Sequence, residues 1–340
     1  MAPKNPYTIR STLPIESDMF FGRETEINRS EAMLSLDSPQ CLSIIGERRI
    51  GKSSLALRIF HDIKELKKTF AFFLDCDGLA GNCNSKDEFF YLLNKRYWDT
   101  LKENLRTIDN LEKEHTLFDD YNSFKIFLKQ MQSKEIKSIV FLDEFEHLPQ
   151  NEFANDSFFS NLRSLANKPD NRLAFVTLSR TSLKDLTHQS IKTSGFWNIF
   201  KTETIGLLDD KSISRLRRYG FKMYNYALTW YELEKINYYA GNSPFFNQVV
   251  CSYLWDSKFY NYSPDWDNLE MEILPYLEKL WDDRTLEEQY LLLMLGHRDV
   301  KEDFSLKRMK NRGVIKEENK HFFPFSEFFS KFIESKSETK

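Results

Sequence analysis

Ser43-Ile44-Ile45-Gly46-Glu47-Arg48-Arg49-Ile50-Gly51-Lys52-Ser53-Ser54-Leu55 decides how the rest of this 340-residue chain is read. The apolar run Cys41 to Ile45 reads as a buried strand. It feeds the pattern G-x-x-x-x-G-K-S, and residues 54–67 then carry apolar side chains at helical spacing. Strand, loop and helix follow one another in the order a phosphate site needs. Gly46 and Gly51 let the backbone curl tightly, so that the N–H groups along Glu47, Arg48, Arg49 and Ile50 can turn toward an anion at the positive end of the next helix. Lys52 is expected along the β- and γ-phosphates of a nucleotide, the Ser53 hydroxyl on Mg²⁺, and Ser54 on the α-phosphate side. A glycine loop before an ordinary amphipathic helix would share the pattern, but the preceding strand weighs against that reading.

A second landmark lies downstream. Ser138-Ile139-Val140-Phe141-Leu142 is an apolar strand ending in Asp143-Glu144, which puts two acids at the carboxyl end of a buried parallel strand, where ligands bind in open α/β sheets. Asp143 is expected to hold Mg²⁺, directly or through water, and Glu144 to polarise the water that attacks the γ-phosphate. Paired acids that merely cap the next helix are the plainer alternative, and the upstream loop weighs against it. A third landmark is the strand Leu173-Ala174-Phe175-Val176-Thr177-Leu178, which leads into Ser179-Arg180-Thr181. Arg180 is placed to sense a γ-phosphate; an ordinary surface arginine is the alternative.

Composition bounds the rest. A chain of this length with 41% hydrophobic residues can fill two or three packed modules. A net charge of −3, from 48 basic and 51 acidic residues, gives no global pull toward nucleic acid or membrane, so any such contact must come from a local patch. No apolar run approaches a membrane span and the first ten residues lack a signal-peptide core, so a cytoplasmic location is expected. Cys41, Cys76, Cys83 and Cys251 form no C-x-x-C pair and read as reduced core residues; the Cys76–Cys83 spacing fits no usual zinc pair. The 15% aromatic content reads as core rather than as a base-stacking surface.

In chain order, an extended arm with Asn5-Pro6-Tyr7 precedes Phe20-Phe21-Gly22-Arg23-Glu24, a helix start, and such an arm can fold over the base of a nucleotide. Residues 69–75 form a second strand, residues 86–106 and 121–132 two helices with a charged link at 109–115 between them, and residues 200–207 a fifth strand. The pattern then turns helical. Residues 230–239 form a helix ended by Gly241, and Ser243 and Pro244 stand at the N-cap and first position of the next. Pro244 serves either as a helix starter or as part of a lid that closes on the nucleotide. Helix, helix, Gly313, short strand, charged turn and short strand between 286 and 333 give the order of a winged helix. Lys307, Arg308, Lys310 and Arg312 lie on its second helix and could contact DNA, although Asp299, Glu302, Asp303, Glu317 and Glu318 dilute the stripe.

Together these landmarks resemble the STAND and AAA+ branches of P-loop ATPases, particularly the prokaryotic STAND-like group, over nearly the whole chain. The matching segments are the N-P-Y arm, F-F-G-R-E-x-E-I at 20–27, G-E-R-R-I-G-K-S-S-L at 46–55, L-D-E at 142–144, V-T-L-S-R at 176–180 and G-x-x-P at 241–244. The resemblance implies an α/β fold with a P-loop NTPase parallel sheet of order 5-1-4-3-2, a helical lid and a C-terminal winged helix. It divides the chain into an arm (1–20), an ATPase core (21–208), a lid (209–283), a winged helix (284–334) and a tail (335–340). It also implies ATP/ADP with Mg²⁺ as ligands, Pro244 near the nucleotide and Arg23 near the base or ribose. The expected function is a slowly hydrolysing switch whose assembly, or binding to a separately encoded effector or sensor, follows nucleotide state, with prokaryotic defence as one setting. The alternative is a DNA-associated ATPase resembling origin-recognition or transposition-regulator proteins. A non-catalytic scaffold is a third reading, against which the intact Glu144 weighs. No arginine finger is identifiable in the sequence.

Overall fold

The computed structural model describes residues 4–9, 12–80, 83–103, 118–186, 189–295 and 303–337. The expected charged link at 109–115 lies outside the described residues. The chain divides into two compact units. One comprises residues 25–45 and 52–203; the other comprises residues 1–24, 46–51 and 204–340.

The first unit is built on a five-stranded sheet. In chain order its elements are α1 (Glu24–Leu34), β1 (Cys41–Ile45), α2 (Lys52–Lys64), β2 (Thr69–Asp75), α3 (Cys76–Ala80), α4 (Lys86–Glu103) and α5 (Tyr121–Ser133). There follow β3 (Lys137–Asp143), α6 (Asp156–Ala166), β4 (Leu173–Ser179), α7 (Gln189–Ser194) and β5 (Phe200–Thr204). The strand order is β2-β3-β4-β1-β5, which is 5-1-4-3-2 read from the other edge, as expected. β2 with β3, β3 with β4, and β4 with β1 all pair in parallel. The central strands have no polar face because both sides are covered: β1 and β4 are buried at every position, and β3 at all but its last. That is why they appear in the sequence as continuous apolar runs. Much of the aromatic content is core, with Tyr97, Phe118, Phe124 and Phe127 packed ring on ring at 4.7–6.1 Å.

Helix ends follow local chemistry. α5 starts in a capping box in which the Asp120 carboxylate accepts from the Ser123 N–H, and α6 is capped by Asn155. α2 begins two residues earlier than its apolar period suggests, at Lys52, because the glycine loop delivers the chain directly into helical geometry. The fifth strand is shorter than expected and ends at Thr204.

The second unit is helical. It contains α8 (Asp210–Lys222), α9 (Trp230–Ala240), α10 (Pro244–Phe259), α11 (Trp266–Asp282), α12 (Leu286–Leu295) and α13 (Phe304–Arg312). An antiparallel hairpin of β6 (Ile315–Glu318) and β7 (His321–Pro324) follows, then α14 (Glu327–Ser337), which carries helix into the segment expected to be a tail. Its apolar core runs from Tyr7, Met19 and Phe21 through Trp255, Ile273 and Leu292 to Phe329 and Ile333. The arm is fixed within this unit: the Tyr7 hydroxyl donates to the Arg217 carbonyl (2.8 Å) and the Asn5 amide to the Asp256 carboxylate (2.9 Å). Ser243 stands at the N-cap of α10 as expected, with Pro244 at the first position, but its hydroxyl makes no capping bond.

Candidate functional site

Three neighbouring strands, β3, β4 and β1, end at the same edge of the sheet. Their registers pair Leu142 with Thr177 and Ile45 with Ser179, so Asp143, Arg180 and Gly46 each leave the carboxyl end of one of them. This edge is where an open parallel sheet binds ligands.

In the first unit, α2 begins with Lys52 and Ser53. Burial pushes the Asp143 carboxyl up, while the Ser53 hydroxyl, the Glu144 N–H and the Lys52 charge hold it down. The Glu144 N–H donates to Asp143 Oδ1 at 2.9 Å. A hydroxyl and a carboxylate already hydrogen-bonded to each other beside a lysine form an oxygen pair of the kind that a hard cation takes, so these residues fit Mg²⁺.

Glu144 stands at the N-cap position of a short 3₁₀ turn (Phe145–Gln150), yet its side chain makes no capping bond and its backbone is left-handed (φ 48°, ψ 42°). The helix-capping alternative therefore fails at Glu144. A non-glycine residue held at positive φ is strained, and such strain is concentrated at functional positions. The Glu144 carboxylate lies 3.4 Å from His147 Nε2, and His147 Nδ1 lies 3.6 Å from the Asp77 carboxylate. Arg180 Nε donates to Glu146 Oε1 at 2.9 Å, and Glu146 is almost wholly buried. Sequence reasoning missed Glu146, His147 and Asp77. The spacing of Glu144 and His147 on one turn was visible; their common turn after the strand was not.

Cys76 opens the short helix after β2, fully buried. Burial, then the charges of Asp75, Asp143, Glu146 and Glu144, push its thiol well above the usual range. A thiol so disposed stays protonated and behaves as a small hydrophobe. Burial likewise raises Cys83 to about 11 and Cys41 and Cys251 to about 12.

The glycine loop itself, Gly46–Gly51, is packed within the second unit. A Cβ on Gly46 would stand 2.6 Å from the Ile205 carbonyl oxygen, so only hydrogen fits there. Ile50 N–H donates to the Glu47 carbonyl at 3.2 Å, which closes the turn. Gly51 has φ +105°, a conformation glycine alone adopts without strain, and a side chain there would meet nothing within 4 Å.

The loop's side chains are engaged elsewhere in the same unit. Glu47 pairs with Arg284, and Arg48 lies 3.4 Å from Asp283. The Arg49 guanidinium sits 4.6 Å from the Phe245 ring centre and 4.9 Å from that of Tyr276, and donates to the Ile9 carbonyl at 2.9 Å. What the loop can offer a phosphate is therefore backbone, and of its N–H groups those of Glu47 and Ile50 already donate to the Arg312 and Glu47 carbonyls. Arg23 is buried and donates to the Gly206 carbonyl, and Pro244 opens α10. On α13, Lys307 and Lys310 are exposed and Arg308 is half-buried beside Phe304. Arg312 is a correction to the basic stripe: it is buried and paired with Glu288, because the helix period turns it inward with Leu306 and Met309. Lys310 pairs with Glu317.

Among curated protein sequences no match to the chain is found. Among solved structures, the Walker-type ATPase of Pyrococcus abyssi is similar at 16% identity with a TM-score of 0.63, over 96% of this chain and 99% of that one. The ORC2 protein of Aeropyrum pernix, in its ADPNP–ADP complexes, is similar at 12% identity and a TM-score of 0.53, over 98% and 99%. The ORC1 protein of the same organism, in complex with DNA, is similar at 9% identity and a TM-score of 0.52, over 96% of each chain. At such identities these likenesses speak for the fold. Residues 20–246, more than half of the chain, match the model of an ATPase domain found predominantly in Archaea, and the chain belongs to that family.

Proposed function

We propose that the protein binds ATP with Mg²⁺ and hydrolyses it slowly, as a STAND-type switch whose assembly or partner binding follows nucleotide state. The observation that carries this reading is that β1, β3 and β4 are adjacent and end together at Ile45, Asp143 and Ser179, with the glycine loop, Glu144 and Arg180 next along the chain, in a chain of an ATPase-domain family. The loop backbone from Gly46 to Gly51 would hold the phosphates, and Lys52 would lie against the transferring group. Ser53 and Asp143 would hold Mg²⁺, which would supply charge neutralisation for the phosphates. Glu144 would orient the attacking water and accept its proton, and Arg23 and Pro244 would lie on the base and lid side of the nucleotide.

Slow turnover is consistent with the internal partners these groups already have. Glu146 holds Arg180, and His147 draws on Glu144, so both contacts must be exchanged before either group serves the γ-phosphate. A switch requires long residence in the bound state. Light scattering with and without Mg²⁺-ATP tests the reading on the wild type and on Glu144→Gln, a variant expected to bind and not hydrolyse. Growth in ATP that persists in Glu144→Gln is expected. A chain that neither binds nucleotide nor changes its association refutes the switch.

A DNA-associated ATPase is the second reading, favoured by a helix–helix–hairpin–helix segment of winged-helix order with Lys307, Arg308 and Lys310 on its second helix. Its likeness to a structure of an origin-recognition protein in complex with DNA adds to it. Duplex binding that weakens steeply with salt and is lost in Lys307→Glu/Arg308→Glu is the expected result. Indifference to both removes this reading.

A further inference from the structure

Glu47 places a carboxylate inside the phosphate loop, an unfavourable charge for any site that is to hold an anion. The second unit compensates it. Arg284, in the link between α11 and α12, pairs with Glu47, and both side chains are nearly inaccessible at 2% and 3% exposure. Arg284 also lies 3.6 Å from Glu288, and Glu288 pairs with Arg312 at the end of α13. The Arg312 carbonyl accepts from the Glu47 N–H at 3.2 Å, so the same residue anchors the loop by its backbone. Two buried arginines and two buried glutamates balance to zero, and beside them Asp283 is shared by Arg48 at 3.4 Å and Lys279 at 3.1 Å. Burial pulls the Arg284 guanidinium below its ordinary range and the Glu47 charge opposes that shift, as expected for a pair that holds together out of water.

We infer that Arg284, which cancels the Glu47 charge, and Arg312, whose carbonyl fixes the loop backbone while its side chain holds Glu288, are positioning residues of the phosphate loop, so that nucleotide affinity depends on the α11–α13 segment being seated. The inference rests on the ATP-binding reading of the loop and gives it a regulator. When the segment leaves the loop, Glu47 stands uncompensated and repels phosphate. By linkage, a nucleotide on the loop holds the segment in place to the same degree. Any partner that draws on α12 or α13 therefore competes with the nucleotide. The surplus of one unit charge predicts its own signature, since repulsion grows with ligand charge: ATP suffers more than ADP.

The test is the dissociation constant of a fluorescent ATP analogue, and of its ADP counterpart, on the full chain, with thermal melting of each variant followed in parallel. Lys52→Ala, expected to abolish binding, checks the loop itself. Arg284→Met should weaken ATP about tenfold, and ADP by less. Adding Glu47→Gln to Arg284→Met removes the orphaned charge and should restore wild-type affinity. Glu47→Gln alone leaves the cluster one positive charge in surplus and should hold ATP at least as tightly as the wild type, which keeps the inference testable if Arg284→Met does not fold. Weaker binding of ATP by Glu47→Gln, or equal losses of ATP and ADP in Arg284→Met without rescue, overturns the inference while Lys52→Ala still shows a working site. A wild type that binds no nucleotide overturns the inference together with the reading beneath it.

Discussion

Gly241→Ala is expected to be among the most damaging single-methyl changes in the second unit. Gly241 ends α9 at φ 45° and ψ −135°, a region that side chains avoid. An alanine there costs about 1–3 kcal/mol in backbone strain alone. Its methyl would also overlap the Phe325 carbonyl oxygen and stand 2.7 Å from the carbonyl carbon, both backbone atoms that cannot swing aside. Phe325 is pinned by stacking at 5.0 Å on Phe246 and 4.8 Å on Phe329, so moving it opens the packing of α10 and α14; overpacking of this kind costs about 1–3 kcal/mol more. The sum, about 4 kcal/mol, corresponds to on the order of 10 °C in melting temperature for a unit of this size. Gly51→Ala is the matched comparison, with positive φ but nothing within 4 Å, so only the strain applies. Thermal and urea melts of both variants against the wild type supply the measurement. If Gly241→Ala melts no lower than Gly51→Ala, steric crowding at Phe325 does not govern this position.

Glu144→Gln should lower steady-state ATP turnover by about 10²- to 10⁴-fold with nucleotide affinity kept, as measured by phosphate release beside a binding titration. Glu288→Gln removes the acid shared by Arg284 and Arg312 and should destabilise the chain by about 3–5 kcal/mol in urea unfolding, since two buried guanidinium groups lose their common partner. Glu31, on α1, has its carboxyl raised to about 7 by burial and then by its hydrogen bond with and the charge of Asp62. The unfolded chain ionises this group near its ordinary value, so stability is greatest below that value and falls as pH rises toward 7. Melting curves of Glu31→Gln across that window should therefore be flatter than those of the wild type.

Much of the sheet could be read directly. β1, β3 and β4 are buried on both faces, so their apolar runs are unbroken, and the glycine pattern, Asp143-Glu144 and Arg180 stand at their ends where a linear reading finds them. The end of α9 and the start of α10 were legible because Gly241, Ser243 and Pro244 are local signals with local causes. What escaped depends on partners distant in sequence. No pattern around Glu47 announces Arg284, and the inward turn of Arg312 follows from a helix seated on Leu306 and Met309. The His147–Glu144 and Arg180–Glu146 contacts arise because a 3₁₀ turn follows β3 at once, where the sequence shows only a short charged stretch before Pro149. α14 was obscured by its phenylalanines: Phe328, Phe329 and Phe332 follow a strand without a glycine to mark the break.

The helical unit is discontinuous along the chain, and that has a temporal consequence. Met19 and Phe21 share one apolar core with Phe329 and Ile333, and Asn5 hydrogen-bonds to Asp256. During synthesis these early residues leave the ribosome long before their partners exist, with the whole sheet-bearing segment made in between. The sheet can close on itself as soon as β5 is out, whereas the arm must wait, its apolar side chains uncovered, until α14 arrives to complete their enclosure. Closing so long a loop is slow, and the glycine loop at 46–51, which packs with this late unit, acquires its surroundings late. A nascent chain therefore carries its glycine pattern from early on, and the loop gains its neighbours only once residues as late as Arg312 and Gly313 have been made.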